Sequence, residues 1–379
     1  MKPYFFALIC LATGVVAGTL IYQIFFPPSS PMPRIILPAG NQSGQPDSAL
    51  TGDEINLTLI EAPGCAQCDS NLREQIAGGL LNAGISTGNE NSLALASPEA
   101  QALIQKYGIS YLPAMILSGP IAKETSFVSD WTQNMGSLEN DGSLVSRPIS
   151  PPFYDIGKKE MAGLVKAIMI RASGCPQCTD PSVFITTLEG PGIGMMFSEK
   201  KSLDENDADA QSLISKYNIT KLPVLLLSTD ASVYPAYDSL LALGSEQDGW
   251  YVLRTILPPY ENLDANRSVV GLVNAVFIIN KSCTGCFDIK SLSDYIADSS
   301  GMVIGNETSY DTGSAEGRAL IAKYSIASIP ALIYSPDASY YPGFEDIWKN
   351  QNSTIESDGS FVFRAYDLLE NVTYQNISG

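Results

Sequence analysis

Histidine is absent from all 379 residues of the sequence. Its absence excludes hydrolase triads that depend on an imidazole, zinc sites with histidine ligands and haem attachment at Cys-x-x-Cys-His. The sequence also lacks a glycine-rich nucleotide fingerprint after a predicted strand, so we expect no nicotinamide or flavin cofactor. Any redox chemistry then depends on the seven cysteines and on electrons from a partner protein.

Basic residues are scarce as well, because 22 Lys and Arg stand against 40 Asp and Glu, giving a formal net charge of −18. Such a surface repels phosphate backbones, so we expect no nucleic-acid partner. Hydrophobic residues make up 45% of the chain, and its length exceeds that of one ordinary domain. The composition therefore predicts a folded protein of two or three domains.

The amino-terminal run Tyr4–Phe26 is apolar, uncharged and long enough to span a bilayer as a helix. A cleaved signal peptide is the alternative, but its apolar core has only about 7 to 15 residues. The sequence thus predicts a retained anchor at residues 1–26 and a flexible linker, rich in Pro, Ser and Gly, at residues 27–50. A basic residue before the run favours a cytoplasmic amino end. We expect a single-pass cell-membrane protein in contact with the lipid bilayer, with extracytoplasmic domains.

Asn-x-Ser/Thr sequons are frequent, as expected for a glycosylated exterior. The glycosylation candidates are Asn41, Asn56, Asn266, Asn306, Asn352, Asn371 and Asn376. Two further sequons, at Asn218 and Asn280, lie within the repeated motifs described next, and we expect them to stay unmodified.

One pattern occurs three times along the chain. Each copy begins with Cys-x-x-Cys, continues with Leu-Ile-x-Lys-Tyr-x-Ile and a proline four residues later, and closes with Asp-Gly before an apolar run that ends in arginine. The pairs are Cys65–Cys68, Cys175–Cys178 and Cys283–Cys286, and the prolines are Pro113, Pro223 and Pro330. The remaining cysteine, Cys10, lies in the predicted anchor and is assigned no role.

The apolar pattern predicts the order of elements within a copy. Short apolar runs such as Val165–Ile170 and Leu272–Ile279 predict strands that lead into the cysteines, and Ile289, Leu292 and Ile296 keep helical spacing after them. Apolar residues directly after each proline predict another strand, and Asp-Gly predicts a turn into a last strand. The order is strand, cysteine pair, helix, strand, helix, proline, strand, strand.

This order, with Cys-x-x-Cys at the end of the first strand and a proline before a later strand, resembles the thioredoxin and glutaredoxin superfamily. The resemblance covers nearly all of residues 51–379 and implies an α/β fold of three tandem thioredoxin-like domains. Proline pairs mark the boundaries between them. The predicted domains are residues 51–157, 158–263 and 264–379.

The cysteine pairs are the candidate catalytic residues. A cysteine at a helix start lies near unpaired backbone amides and the positive end of the helix dipole, which favour the thiolate. The first cysteine of each pair is therefore the predicted nucleophile, and the second resolves the mixed disulfide. The resemblance implies cis peptide bonds at the three prolines, which would present free backbone groups to an extended substrate chain. Where thioredoxins carry a buried acid, this chain has Leu59, Met169 and Phe277.

Two functions remain open at this point. The first is a thiol-disulfide oxidoreductase or isomerase that acts on protein thiols and disulfides and is recycled by a membrane redox partner. The second is a structural or adhesive cell-surface protein, able to self-associate, in which the disulfides Cys65–Cys68, Cys175–Cys178 and Cys283–Cys286 are idle staples. Zinc held by two pairs needs an unusual domain arrangement, so we expect no metal.

Overall fold

The computed structural model describes residues 54–147, 151–264, 267–369 and 372–377. The predicted anchor and linker, residues 1–50, lie outside these ranges. Among the described helices none is long and apolar enough to span a bilayer. The longest, Ala66–Asn82, has 17 residues and carries charged side chains, whereas a span needs about 20 apolar residues. This finding contradicts the predicted single-pass location in the cell membrane, and neither that location nor the bilayer as a partner is retained.

The first copy of the pattern, which we call repeat 1, forms a five-stranded mixed sheet with helices packed against it. Its strands, with the hairpin that follows, are β1 (Ile55–Ile60), β2 (Thr87–Leu93), β3 (Tyr111–Leu112), β4 (Ala114–Ser118), β5 (Gly136–Leu138), β6 (Leu144–Ser146), β7 (Phe153–Asp155) and β8 (Glu160–Ala162). Its helices are α1 (Ala66–Asn82), α2 (Pro98–Tyr107) and α3 (Thr125–Asn134), with a 3₁₀ turn at Pro120–Lys123.

Repeat 2 contains the same elements in the same order. Its strands are β9 (Leu164–Arg171), β10 (Met196–Asp204), β11 (Lys221–Leu222), β12 (Val224–Ser228), β13 (Gly244–Gln247), β14 (Trp250–Leu253), β15 (Tyr260–Asn262) and β16 (Ser268–Val270). Its helices are α4 (Ser182–Glu189), α5 (Ala208–Lys216) and α6 (Tyr237–Leu241), with a 3₁₀ turn at Thr229–Val233.

Repeat 3 follows, and in its described residues the short strand β23 (Gln375–Asn376) stands in place of the closing hairpin. Its strands are β17 (Leu272–Ile279), β18 (Val303–Asp311), β19 (Ser328–Ile329), β20 (Ala331–Tyr334), β21 (Thr354–Ile355), β22 (Phe361–Val362) and β23 (Gln375–Asn376). Its helices are α7 (Ile289–Ser300), α8 (Ala315–Lys323) and α9 (Phe344–Asn350), with 3₁₀ turns at Pro336–Tyr340 and Tyr366–Leu368.

The sheet orders are β2-β1-β4-β6-β5, β10-β9-β12-β14-β13 and β18-β17-β20-β22-β21. In each sheet the first strand is parallel to the second and antiparallel to the strand after the proline. The predicted α/β class is confirmed, and the topology agrees with the thioredoxin-like fold that the resemblance implies. The domain boundaries stay a prediction; residues 157 and 263 fall in the turns of the β7–β8 and β15–β16 hairpins.

Each sheet has a hydrophobic cluster on both faces, because neighbouring residues of its first strand point in opposite directions. In repeat 1, Leu59 packs with α1 on one face and Ile60 packs with α2 on the other. The three positions that hold no acid, Leu59, Met169 and Phe277, are all buried in such clusters. These clusters fix the first strand, and with it the cysteine pair at its end.

One helix in each repeat was not predicted. The Asp-Gly turns begin 25 to 28 residues after the prolines, and the extra length holds a 3₁₀ turn and the helices α3, α6 and α9 before the edge strand. Trp131 of α3 and Trp348 of α9 are both 3% exposed and anchor these helices on the sheet. These helices therefore account for the length between each proline and its Asp-Gly turn.

The repeated Lys-Tyr and Asp-Gly motifs join a helix end to a hairpin. In repeat 3, Lys323 Nζ lies 2.6 Å from Asp358 Oδ2, and the Tyr324 hydroxyl donates to the same oxygen at 2.9 Å. The lysine contact, followed by backbone donation from Ser360, holds the pKa of Asp358 below its usual range. Arg364 then donates to the carbonyl oxygen of Tyr324 at 2.6 Å. The motif is therefore structural.

We expect Arg364→Lys to lower the free energy of unfolding by about 1 to 3 kcal/mol, because a lysine cannot reproduce a planar fork of donors. Arg364 also donates to Ser325 O, Glu356 Oε1 and Thr354 Oγ1. The matched control is Arg254→Lys in repeat 2, where the arginine donates to Ser245 Oγ and Asn218 O. Urea unfolding of both variants measures the difference, and an equal or larger loss in the control contradicts the expectation.

Candidate functional site

Each Cys-x-x-Cys pair forms a disulfide just after the first strand of its repeat. The S–S distances are 1.93 Å in Cys65–Cys68, 2.02 Å in Cys175–Cys178 and 2.04 Å in Cys283–Cys286. Within the described residues, no group of three His, Cys, Asp or Glu side chains is placed to hold a metal ion. The oxidised pairs are thus the groups on which exchange chemistry depends.

The first pair lies at the start of a helix, as predicted. Cys65 is the N-cap residue of α1, and its Sγ accepts a hydrogen bond from the backbone N–H of Cys68 at 3.2 Å. Sulfur therefore takes the place of the oxygen that usually caps a helix. The helix dipole acts on this sulfur, and its direction favours a thiolate.

The second and third pairs lie in turns, so the predicted helix start is wrong for both. Helix α4 begins four residues after Cys178 and α7 begins three residues after Cys286. Asp180 Oδ1 accepts from the N–H of Ser182 at 2.8 Å, and Asp288 Oδ1 accepts from the N–H of Lys290 at 3.0 Å. Asp288 is the N-cap of α7, whereas Asp180 stands one residue before Pro181, the N-cap of α4, and binds the amide of its first helical residue.

The number of half-buried cysteines rises from none in the first pair to one in the second and two in the third. Cys65 and Cys68 are each 5% exposed, and Cys175 is 3% exposed. Cys178 is half-buried, and so are both cysteines of the pair Cys283–Cys286. Because exchange requires a thiolate to reach a sulfur, the three pairs differ in their access to another protein.

The first pair is covered by the chain that leads into repeat 2. Its hydrophobic cluster includes Tyr154, Ile156 and Met161. Cys68 lines a cavity of about 620 Å³ together with Pro113, and Met196 of repeat 2 lines the same cavity. Repeat 1 thus presents its disulfide toward repeat 2.

The peptide bonds before Pro113, Pro223 and Pro330 are cis. The residues before them form the two-residue strands β3, β11 and β19, which pair antiparallel with β7, β15 and β23. We call these three partners the cover strands. The edge beside each proline is therefore occupied by the protein's own chain, and the expectation of free backbone groups there is wrong.

One position of each cover strand faces the loop that carries the cysteines. It is the residue opposite the one before the proline, namely Tyr154, Glu261 or Gln375. Tyr154 packs in the cluster of Cys65 and Cys68. Gln375 Oε1 accepts from Asn280 Nδ2 at 2.7 Å. Glu261 Oε2 lies 3.3 Å from the point where a Cβ on Gly174 would stand.

Sequence reasoning missed this position. Tyr154 and Glu261 each stand three residues after the first proline of a Pro-Pro pair, which is the signal that could have found them. Gln375 follows no such pair. The three residues are an aromatic ring, a carboxyl group and an amide, so each cysteine pair has a chemically different neighbour.

The described sequons lie at the surface. Asn306, Asn352 and Asn376 are exposed, while Asn56 is half-buried and its side-chain oxygen accepts from the N–H of Asn89 at 3.2 Å. The other three candidates, Asn41, Asn266 and Asn371, lie outside the described residues. Glycosylation stays a prediction.

No protein-family model matches the sequence, and no curated protein matches it. Among solved structures, the chain is similar to full-length ERdj5, with 13% identity over 77% of this chain and 42% of that one, at a TM-score of 0.15. It is also similar to human ERp44, with 9% identity over 75% of this chain and 78% of that one, at a TM-score of 0.14. The chain spans less than half the length of ERdj5, at 42%.

We expect dithiothreitol to reduce Cys283–Cys286 first and Cys65–Cys68 last, with the more deeply buried first pair about tenfold slower or more because it requires local opening. Brief reduction of the folded chain, alkylation and peptide mapping measure the three rates separately. In urea the chain unfolds and all three disulfides become exposed, so the three rates should converge. Faster reduction of Cys65–Cys68 than of Cys283–Cys286 in the folded chain contradicts the order.

Proposed function

We propose that the chain is a thiol-disulfide oxidoreductase or isomerase that acts on protein thiols and disulfides, with Cys283–Cys286 as its most accessible site. The observation that carries this proposal is a Cys-x-x-Cys disulfide that follows the first strand of its sheet, with both cysteines half-buried and not sealed. A short-range bridge of this kind constrains an unfolded chain less than a long-range one, so stability is a weak reason for its presence. The proposal retains the three predicted thioredoxin-like domains.

The proposed reaction is a two-step exchange. A substrate thiolate attacks one sulfur of Cys283–Cys286, the S–S bond breaks, and the other sulfur leaves as a thiolate that takes up a proton. The second substrate thiol loses its proton and attacks the mixed disulfide. The substrate becomes a disulfide and the pair becomes a dithiol, which a partner protein must oxidise again; the reverse sequence reduces a substrate.

The cover strand of repeat 3 limits how a protein substrate can bind. It is held by the N–H of Ile377, which donates to Ala327 O at 2.7 Å, and by the carbonyl of Thr373, which accepts from the N–H of Phe287 at 3.0 Å. An extended substrate segment that pairs beside Pro330 must displace these contacts. A small thiol needs no such displacement. We therefore propose that protein substrates exchange with Cys283–Cys286 more slowly than the exposure of these cysteines alone would allow.

A structural role is the second candidate for repeat 1. Both of its cysteines are buried, and the chain between repeats 1 and 2 packs over them. This disulfide then serves as a staple at the junction, while repeat 3 carries the exchange.

The proposal is tested with insulin reduction and with refolding of a reduced, unfolded protein. We expect the double variant Cys283→Ser, Cys286→Ser to lose most of the activity, because the most accessible pair is removed. The matched control, Cys65→Ser with Cys68→Ser, should keep most of it, with circular dichroism as the check on folding. Activity of the wild-type chain no higher than that of its all-serine variant would mean that all three disulfides are idle.

A further inference from the structure

Two buried carboxyl groups lie at the loop that carries the second cysteine pair. Glu205, just after β10, is 3% exposed, and Glu261, the central residue of the cover strand β15, is 2% exposed. Arg267 Nη1 lies 3.4 Å from Glu205 Oε1 and 3.9 Å from Glu261 Oε1. The second oxygen of each glutamate, Oε2, is buried without a hydrogen-bond partner.

The charges in this cluster do not balance unless a proton is present. One guanidinium faces two carboxyl groups, so full ionisation leaves one negative charge uncompensated and away from water, which is costly. A single proton held by the pair removes that charge. The groups facing Glu261 are Glu205 from the end of β10, Arg267 from the turn before β16, and the Gly174 backbone of the cysteine loop. Burial, and next the charge of Glu205, raise the pKa of Glu261.

The carboxyl pair lies beside the loop that carries Cys175. Gly174 directly precedes Cys175, and a Cβ at position 174 would stand 3.3 Å from Glu261 Oε2, so the carboxyl group approaches the backbone of this loop closely. Cys175 is 3% exposed whereas Cys178 is half-buried. An attacking thiolate therefore reaches Cys178, and Cys175 becomes the leaving sulfur, which reverses the roles that the sequence predicts for this pair. A thiolate released in a buried position is unstable until it is protonated.

We propose that Glu261, paired with Glu205, is the proton donor to Cys175 when the Cys175–Cys178 disulfide is cleaved; this inference rests on the proposed function. A substrate thiolate attacks Cys178 Sγ, the S–S bond breaks, and Cys175 takes the proton from Glu261. A second substrate thiol returns a proton to Glu261 and attacks the mixed disulfide, releasing Cys178, which is protonated by water. The substrate dithiol is oxidised to a disulfide and the protein pair is reduced.

The donor is specific to repeat 2. The register places Leu95 and Thr312 at the positions of Glu205 in the other sheets. The cover strands place Tyr154 and Gln375 at the position of Glu261. Cys283–Cys286 in the same chain is therefore an internal control, with an amide where repeat 2 has a carboxyl group.

The test measures reduction of each pair by dithiothreitol in the full chain between pH 5 and 9, by alkylation and peptide mapping, with each rate divided by the concentration of reagent thiolate. For Cys175–Cys178 we expect this rate to fall as the pH rises through the pKa of Glu261, since the donor is lost. Glu261→Gln should abolish the fall and slow the low-pH reaction about tenfold or more. Cys283–Cys286 should keep one profile in both chains.

Two further variants test the role of Glu261 if Glu261→Gln does not fold. Glu205→Gln removes the neighbouring negative charge, so the fall should move to lower pH. Gln375→Glu should introduce a fall for Cys283–Cys286. Unchanged profiles in the variants that fold overturn the inference. Because dithiothreitol is not a protein substrate, failure of insulin reduction with these profiles intact would count against the proposed function alone.

Discussion

The pairing between the short strand before each proline and a cover strand is the constraint on which the rest of the structure depends. Strands of two residues such as β3 cannot be stable alone, because their backbone groups need partners. The partner comes from the segment that leaves the repeat, as β7 after repeat 1 and β15 after repeat 2. The end of each repeat is thereby brought back across its own cysteine loop.

The same pairing determines how one repeat is joined to the next. The hairpins β7–β8 and β15–β16 end at Gly163 and Gly271, which have positive φ and lie directly before β9 and β17. A Cβ on Gly163 would stand 2.6 Å from Pro151, so the close approach requires glycine there. Tyr234 donates to the carbonyl of Gly163 at 2.8 Å and fixes this junction to the repeat that follows. The connection between repeats is therefore a structured hairpin.

Local pattern was sufficient to predict the framework and insufficient for the cover strands. The strand Leu272–Ile279 and the helix with Ile289, Leu292 and Ile296 are confirmed, because they depend on periodicity within a few residues. A two-residue strand such as Gln375–Asn376 has no period to detect. Glu205 and Glu261 approach the same loop only through tertiary pairing. The delayed helix starts did have a local signal, since aspartate precedes each of them by one or two residues.

The Cys-x-x-Cys motif specifies that a bond can form, and its surroundings decide whether the bond can be attacked. Exchange needs an open path to one sulfur and a proton for the other. In repeat 1 the covering cluster leaves each cysteine only 5% exposed, and the neighbouring Tyr154 carries no carboxyl group. In repeat 3 the path is open, and the neighbouring Gln375 is neutral. Both requirements depend on residues about 90 positions after the cysteines, so the dipeptide inside the motif is a poor guide to the chemistry of each pair.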